Sequence, residues 1–222
     1  DTGLWIVGPE QPQGRRKLAG RPGPGWFGGS IADDGSRIAM TRYLSATESQ
    51  VWTIDLASGE RRQLLPAPGE SLRASHFDAG FSKDGRRLMV LSDRAGEFRE
   101  LMALDLGSGA LTRVTGHIRW DVSGTSISED GRWIVVQINA DGRDELRVFD
   151  ANSLKEVAAP AVPAGGIGNM GFHRARNRLA YSLNSPKGPS QLFVLDPASG
   201  RSEQWTRAEA PPGIDTAAFA DQ

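Results

Sequence analysis

Two short motifs return along this chain at a fixed interval, and no other feature restricts its fold as strongly. The first is a turn followed by a basic and an apolar residue. It reads Asp34-Gly35-Ser36-Arg37-Ile38, Asp84-Gly85-Arg86-Arg87-Leu88, Asp130-Gly131-Arg132-Trp133-Ile134 and, in degenerate form, Arg176-Asn177-Arg178-Leu179. With Gly35, Gly85, Gly131 and Asn177 as equivalents, the steps are 50, 46 and 46 residues. The second motif is an apolar run closed by Asp: Val51-Trp52-Thr53-Ile54-Asp55, Leu101-Met102-Ala103-Leu104-Asp105, Leu146-Arg147-Val148-Phe149-Asp150 and Leu192-Phe193-Val194-Leu195-Asp196. Its Asp follows the first motif by 20, 20, 19 and 19 residues, so both motifs keep register inside every unit.

Each unit reads as four short strands. Asp-Gly supplies positive backbone dihedrals for a tight hairpin between the first two. A second small-residue reversal, such as Ala57-Ser58-Gly59 or Gly107-Ser108-Gly109, precedes a last strand such as Leu111–Thr115. Four antiparallel strands repeated about every 46 residues make an all-β chain, a β-propeller of four-stranded blades. The expected blades are 26–66, 75–116, 122–160 and 166–207, with partial blades at 1–20 and 212–222, all within one partial propeller domain spanning 1–222. Leu4-Trp5-Ile6-Val7 matches a third strand, and Ala217-Ala218-Phe219 matches the opening Ala79-Gly80-Phe81. Because a blade cannot bury both faces alone, each packs on its neighbours. Trp52, Trp133 and Phe193 are assigned to that packing. Ragged ends leave strand edges open, so self-association is expected. The absence of an initial Met points to a processed or truncated piece.

Composition removes several function classes. Lys+Arg 26 against Asp+Glu 27 gives a net charge of -1, which offers no field for nucleic acid. The longest basic run, Arg15-Arg16-Lys17, reads as a solvated turn. Zero cysteines exclude disulfides, thiolate metal sites and a Cys nucleophile, while leaving periplasm and cytoplasm both open. No apolar stretch approaches the roughly 20 residues of a membrane helix. His76, His117 and His173 show no metal-binding spacing and are read as structural or surface residues. Neither cofactor nor metal is expected. The recurrence of Asp55, Asp105, Asp150 and Asp196 with the repeat marks them as turn caps.

The loops carry a more specific likeness. Tyr43-Leu44-Ser45-Ala46-Thr47-Glu48-Ser49, Ser92-Asp93-Arg94-Ala95-Gly96-Glu97-Phe98-Arg99, Trp120-Asp121-Val122 and the closing Trp205-Thr206-Arg207-Ala208-Glu209 with Ile214-Asp215 resemble the propeller of bacterial peptidases of the prolyl oligopeptidase family. The resemblance implies a later part of a larger ring that caps an α/β-hydrolase domain and admits short peptides. It also implies that loop charges face a substrate cavity: Arg94, Glu97 and Arg99 in one loop, and Glu48 one blade earlier, where it would hold a peptide amino terminus. The alternative for the same residues is a solvated hairpin with weak local ion pairs. Catalytic residues are not expected in this chain, because no Ser lies in the G-x-S-x-G of a nucleophile elbow; Gly107-Ser108-Gly109 and Ser123-Gly124 fail at the flanking glycines. A second reading is a non-enzymatic interaction propeller resembling periplasmic TolB, whose partners are proteins.

Overall fold

The computed structural model describes residues 3–19, 25–27, 29–210, 212–213, 216 and 219. The described residues form eighteen strands and no α-helix. They fall into two compact units, Asp1–His117 and Ile118–Gln222.

In the first unit, β1 (Leu4–Gly8) pairs with β2 (Gln11–Ala19). A four-stranded sheet follows, made of β3 (Trp26–Phe27), β4 (Arg37–Ser45), β5 (Glu48–Asp55) and β6 (Arg61–Leu65). The next holds β7 (His76–Phe81), β8 (Arg87–Ser92), β9 (Glu100–Asp105) and β10 (Leu111–Arg113). The second unit repeats the plan twice. Its sheets are β11 (Asp121–Ile127), β12 (Trp133–Ala140), β13 (Arg143–Asp150) and β14 (Glu156–Ala158), then β15 (Gly166–Phe172), β16 (Leu179–Ser185), β17 (Gly188–Asp196) and β18 (Arg201–Gln204). Every pairing is antiparallel and joins strands adjacent in sequence, the meander of a propeller blade.

Strands β4, β8, β9 and β12 are apolar on both faces because both faces are covered, whereas β16 buries Leu179, Tyr181 and Leu183 and exposes Ala180 and Asn184. Along β4, Ile38 and Met40 pack with Leu18, Ala19 and Ile54, and Trp26 and Trp52 lie against that cluster. Ala39, with the opposite orientation, joins Val51, Leu65, Leu88, Val90, Met102 and Leu104. This is the two-residue period of a strand sharing its side chains between two neighbouring layers. In the second unit, Trp133, Val135, Leu146 and Val148 meet Ile167, Leu179, Tyr181 and Phe193, with Tyr181 stacked on Phe193 at 5.4 Å. Trp133 and Phe193 thus pack between sheets, and Trp52 packs towards β1 and β2.

The Asp-Gly turns differ from a tight two-residue hairpin. Only the glycines take positive φ, 68°, 66° and 69° at Gly35, Gly85 and Gly131. In the second sheet Gly85 N–H donates to the Ser82 carbonyl, closing a four-residue turn. Ser82 Oγ donates to Asp84 and accepts from Arg87 N–H, and Ser128 does the same with Asp130 and Trp133. The upstream serine therefore selects the wider turn, a hydroxyl bond that Asp-Gly alone does not reveal. Arg15-Arg16-Lys17 also differs from expectation. It lies in strand β2, where Lys17 pairs with Trp5 and Arg16 with Ile6, and its charges stand exposed along the strand.

The second reversals are capped by their aspartates. Asp55 accepts from Ala57 N–H, Ser58 N–H and Ser58 Oγ, and Asp105 and Asp150 repeat the pattern with Ser108 and Ser153. The backbone bonds from those serines, then their hydroxyls, hold all three carboxyls below the usual carboxylate range. The fifth residue of the turn is Gly59, Gly109 or Gly200 in three units but Leu154 in the other, at φ 58°. An L-residue pays conformational strain there that glycine avoids, partly offset by glycine's greater freedom when unfolded. Leu154→Gly is expected to stabilise the chain by roughly 0.5 kcal/mol, read as a higher urea midpoint at unchanged slope.

Side-chain ties join neighbouring sheets at matching positions. Six residues before the third-strand Asp stands Ser49 in the first sheet and Asp144 in the third. Ser49 Oγ accepts from His76 N–H on β7, and Asp144 Oδ2 accepts from Ile167 N–H on β15. Their own N–H groups donate to the carbonyls of Ala74 and Gly165. A further tie runs from β7 to the segment after β3: Asp78 accepts from Ser30 N–H at 2.7 Å and Ser30 Oγ at 2.9 Å.

Candidate functional site

The antiparallel meander brings one set of connections to a common rim of the first unit: the β4–β5 hairpin, the β6–β7 connection and the β8–β9 loop. All four charged residues singled out from sequence lie there. Glu48 opens β5, half-buried and opposite Ser45. Arg94 follows β8, its N–H donating to Ser92 Oγ and its guanidinium to Glu70 Oε1 at 2.6 Å. Glu97 is exposed at the tip of that loop, and Arg99, half-buried before β9, lies over the Phe77 ring at 5.4 Å.

Beneath the loops lies a polar layer centred on Ser75 and His76. Ser75 donates to both Asp93 carboxylate oxygens, through N–H and through Oγ, each at 2.7 Å. His76 is fully buried. Its N–H and carbonyl both bond Ser49 Oγ, and its Nδ1 meets Ser92 Oγ at 2.8 Å. Burial, then the Arg94 charge, pushes the imidazole down to about 4, against the opposing pull of Asp93 and Glu70. Its Nε2 has no partner. Glu70 accepts from Ala67 N–H, which with Arg94 holds it below the usual carboxylate range despite its partial burial. Glu100, buried, accepts from two of the three guanidinium nitrogens of Arg113, Nε and one Nη.

A cleft of about 230 Å³ opens beside the Arg94–Glu70 pair, lined also by Gln63, Leu65, Pro68 and Leu111. Leu64, Leu65, Leu104, Leu106 and Leu111 give it apolar surface, and two arginines, Arg62 and Arg94, and two carboxylates, Glu70 and Asp105, also line it, an arrangement suited to a small side chain or a chain terminus. Among the described residues no group of three or more His, Cys, Asp and Glu is placed to hold a metal ion. His117 and His173 are exposed.

Sequence reasoning singled out the loop charges but missed Glu70, Ser75 and the burial of His76. The alignment of repeats contained a signal for part of this, since Ser49 and Asp144 occupy one register position. Nothing local announces that Glu70, 24 residues from Arg94, is its partner. Ile214-Asp215 and Ala217-Ala218, read as an exit and a further strand, lie outside the described residues.

In the second unit a cleft of about 420 Å³ is lined by Pro163, Leu183, Lys187, Gln191 and Phe193 among others. Next to it in sequence, Leu192 is 49% exposed, whereas its repeat equivalents Val51, Leu101 and Leu146 are at 0%, 0% and 1%. Trp205, whose N–H donates to the Leu192 carbonyl as that of Val114 does to Leu101, is 69% exposed against 5% for Val114.

The profile of the family described as the prolyl oligopeptidase N-terminal beta-propeller domain matches residues 7–208. None of the curated proteins compared with the chain matches it. Among solved structures, one from a study of two prolyl endopeptidases superposes with TM-score 0.75 at 18% identity, covering 90% of this chain and 29% of that one. A puromycin-hydrolyzing peptidase of Mycobacterium tuberculosis gives TM-score 0.70 at 18% identity, covering 91% and 32%. TolB from Acinetobacter baumannii gives 0.67 at 15% identity, covering 96% and 50%. The chain therefore spans a third or less of the two peptidase chains and half of the TolB chain, and at these identities the likeness shows the fold.

Proposed function

Because the chain belongs to the family of prolyl oligopeptidase N-terminal β-propeller domains, we propose that it is the non-catalytic propeller portion of a serine peptidase and gates the access of short peptides to a hydrolase domain. The observation that carries this reading is the gathering of Glu48, Arg94, Glu97 and Arg99 on one rim. A short peptide carries an ammonium at one end and a carboxylate at the other, and a rim with both signs of charge at separate loops can take either end. In a folded protein the termini usually lie at the surface but far from most of its peptide bonds, so selection acts by exclusion as well as by charge. The uncovered Leu192 and Trp205 support a further sheet packing on that face in a longer protein, as sheets do at the equivalent positions of this one.

The test begins with the protein as it occurs in its source. Its intact mass is expected to exceed these 222 residues by several hundred, and the protein is expected to react with a fluorophosphonate serine probe and to cleave short peptides but not folded proteins. A second reading, a TolB-like interaction propeller, is favoured by the same exposed apolar face. A mass matching this chain, no probe reaction and one stoichiometric protein partner would establish that reading instead.

A further inference from the structure

The two candidate loops are not independent. Ser49, directly after Glu48, and Ser92, directly before Asp93 and Arg94, are both bonded to one residue, His76. The residue before it, Ser75, clamps Asp93 through two bonds. A single buried dipeptide, Ser75 just before β7 and His76 as its first residue, therefore sets the bases of both loops, although the loops belong to different sheets.

We propose that Ser75-His76 is a positioning element and an acid-sensitive latch: with a neutral imidazole it fixes the β4–β5 and β8–β9 loops in one arrangement, and protonation of the ring releases them. Its consequence for peptide admission rests on the reading of this rim given above; the latch itself does not.

The geometry explains why a neutral ring is required. A neutral imidazole has one donor and one acceptor nitrogen, and here only Nδ1 is engaged. Protonation puts a hydrogen on both nitrogens, leaving a charged N–H at the buried Nε2 with no protein acceptor beside it. It also removes the acceptor capacity of Nδ1, so that any Ser92 hydroxyl hydrogen directed at the ring must rotate away. Three charged groups act on the ring: Arg94 repels the new charge, while Asp93 and Glu70 attract it. Both acids are already engaged, Asp93 by Ser75 and Glu70 by Arg94 and Ala67. The strain of charging is relieved by opening the pocket, and its two walls are the loop bases.

Hydrogen exchange on the 222-residue chain between pH 7 and 3.5, corrected for intrinsic rates, tests the latch. In the wild type, amides at 46–49 and 93–99 should lose protection by at least about tenfold below pH 4.5, while β12 and β13 retain theirs. In His76→Asn, which keeps a polar group towards Ser92 but does not titrate, loop protection should not change over the same range. Wild-type loops that stay protected to pH 3.5, or a His76→Asn profile that follows the wild type, would overturn the proposal. Should His76→Asn fail to fold, the imidazole resonance of the wild type decides. A midpoint near 4 that coincides with loop opening supports the latch, and one between 6 and 7 refutes it. Failure of peptide cleavage by the source protein would remove the functional reading while leaving the latch measurable.

Discussion

Asp78→Ala is expected to lower the stability of the chain by about 3 kcal/mol, the cost of leaving three part-buried donors without a charged acceptor, and its melting temperature by roughly 6–12 °C. The carboxylate accepts from Ser30 N–H, Ser30 Oγ and Gly80 N–H, and its own N–H donates to Thr41 Oγ1. Alanine orphans a backbone N–H of the neighbouring sheet, and nothing nearby replaces the acceptor. Space around the pair is already exhausted. A Cβ on Gly29 would run into the Ala39 carbonyl and lie 2.7 Å from Asp78 Oδ2, so this approach of two sheets tolerates no side chain at that position. Burial raises the Asp78 carboxyl above its ordinary value, against the bonds from Ser30 and Gly80. Ionisation there is a cost that the three bonds offset only in part. Glu97→Ala, at an exposed loop tip, serves as the control and should change stability by less than about 0.5 kcal/mol. Urea unfolding of both variants measures the contrast; equal midpoints would mean that the Asp78 tie contributes nothing to cohesion between the sheets.

The second large effect is with pH. His76 titrates near 4 in the folded chain against an ordinary value of 6.5. As pH falls through 6.5 the unfolded chain binds a proton that the folded chain refuses until about pH 4. The unfolded state therefore gains between those limits, and stability is lost as pH falls. The fall from 6.5 to about 4 corresponds to about 3 kcal/mol, fully present above pH 6.5, gone at pH 4 and constant below. Asp78 acts in the opposite sense, since a raised carboxyl favours the folded state as pH falls towards its own value. The capping carboxylates Asp55, Asp105 and Asp150, all lowered, lose their contribution only below the usual carboxylate range. The window from about pH 6.5 down to 4.5 thus belongs chiefly to His76. Urea unfolding across it should show falling stability in the wild type and a flatter profile in His76→Asn. Parallel profiles would mean that the ring is hydrated in the folded state.

What could be read from the sequence was local in origin. Asp-Gly and Asp-x-x-Ser turns are built by bonds spanning two or three residues, and they recur at each repeat because each carries its own hydrogen-bond partners, as Asp105 does in Ser108. The apolar runs ending in Asp55, Asp105, Asp150 and Asp196 are too short for anything but strands and too regular for anything but repeated sheets. Fold class and the rim position of Glu48, Arg94, Glu97 and Arg99 follow from that order, because strand alternation alone sends those loops to the same edge of their sheets.

The chemistry beneath that rim was decided by tertiary structure. Ser30 meets Asp78 across 48 residues, Ser49 meets His76 across 27, and Glu70 meets Arg94 across 24. No propensity or spacing rule encodes such pairs, because their register depends on how two sheets settle against each other after each has formed. His76 shows the difference plainly. In the sequence it is one of three isolated histidines with no motif around it. Packing of β7 against β5 removes its water, supplies Ser49 and Ser92, and leaves Nε2 without a partner. Local hydrogen bonds and strand periodicity determined the architecture, whereas desolvation, which exists only once the sheets are assembled, determined which polar groups in it are free to respond.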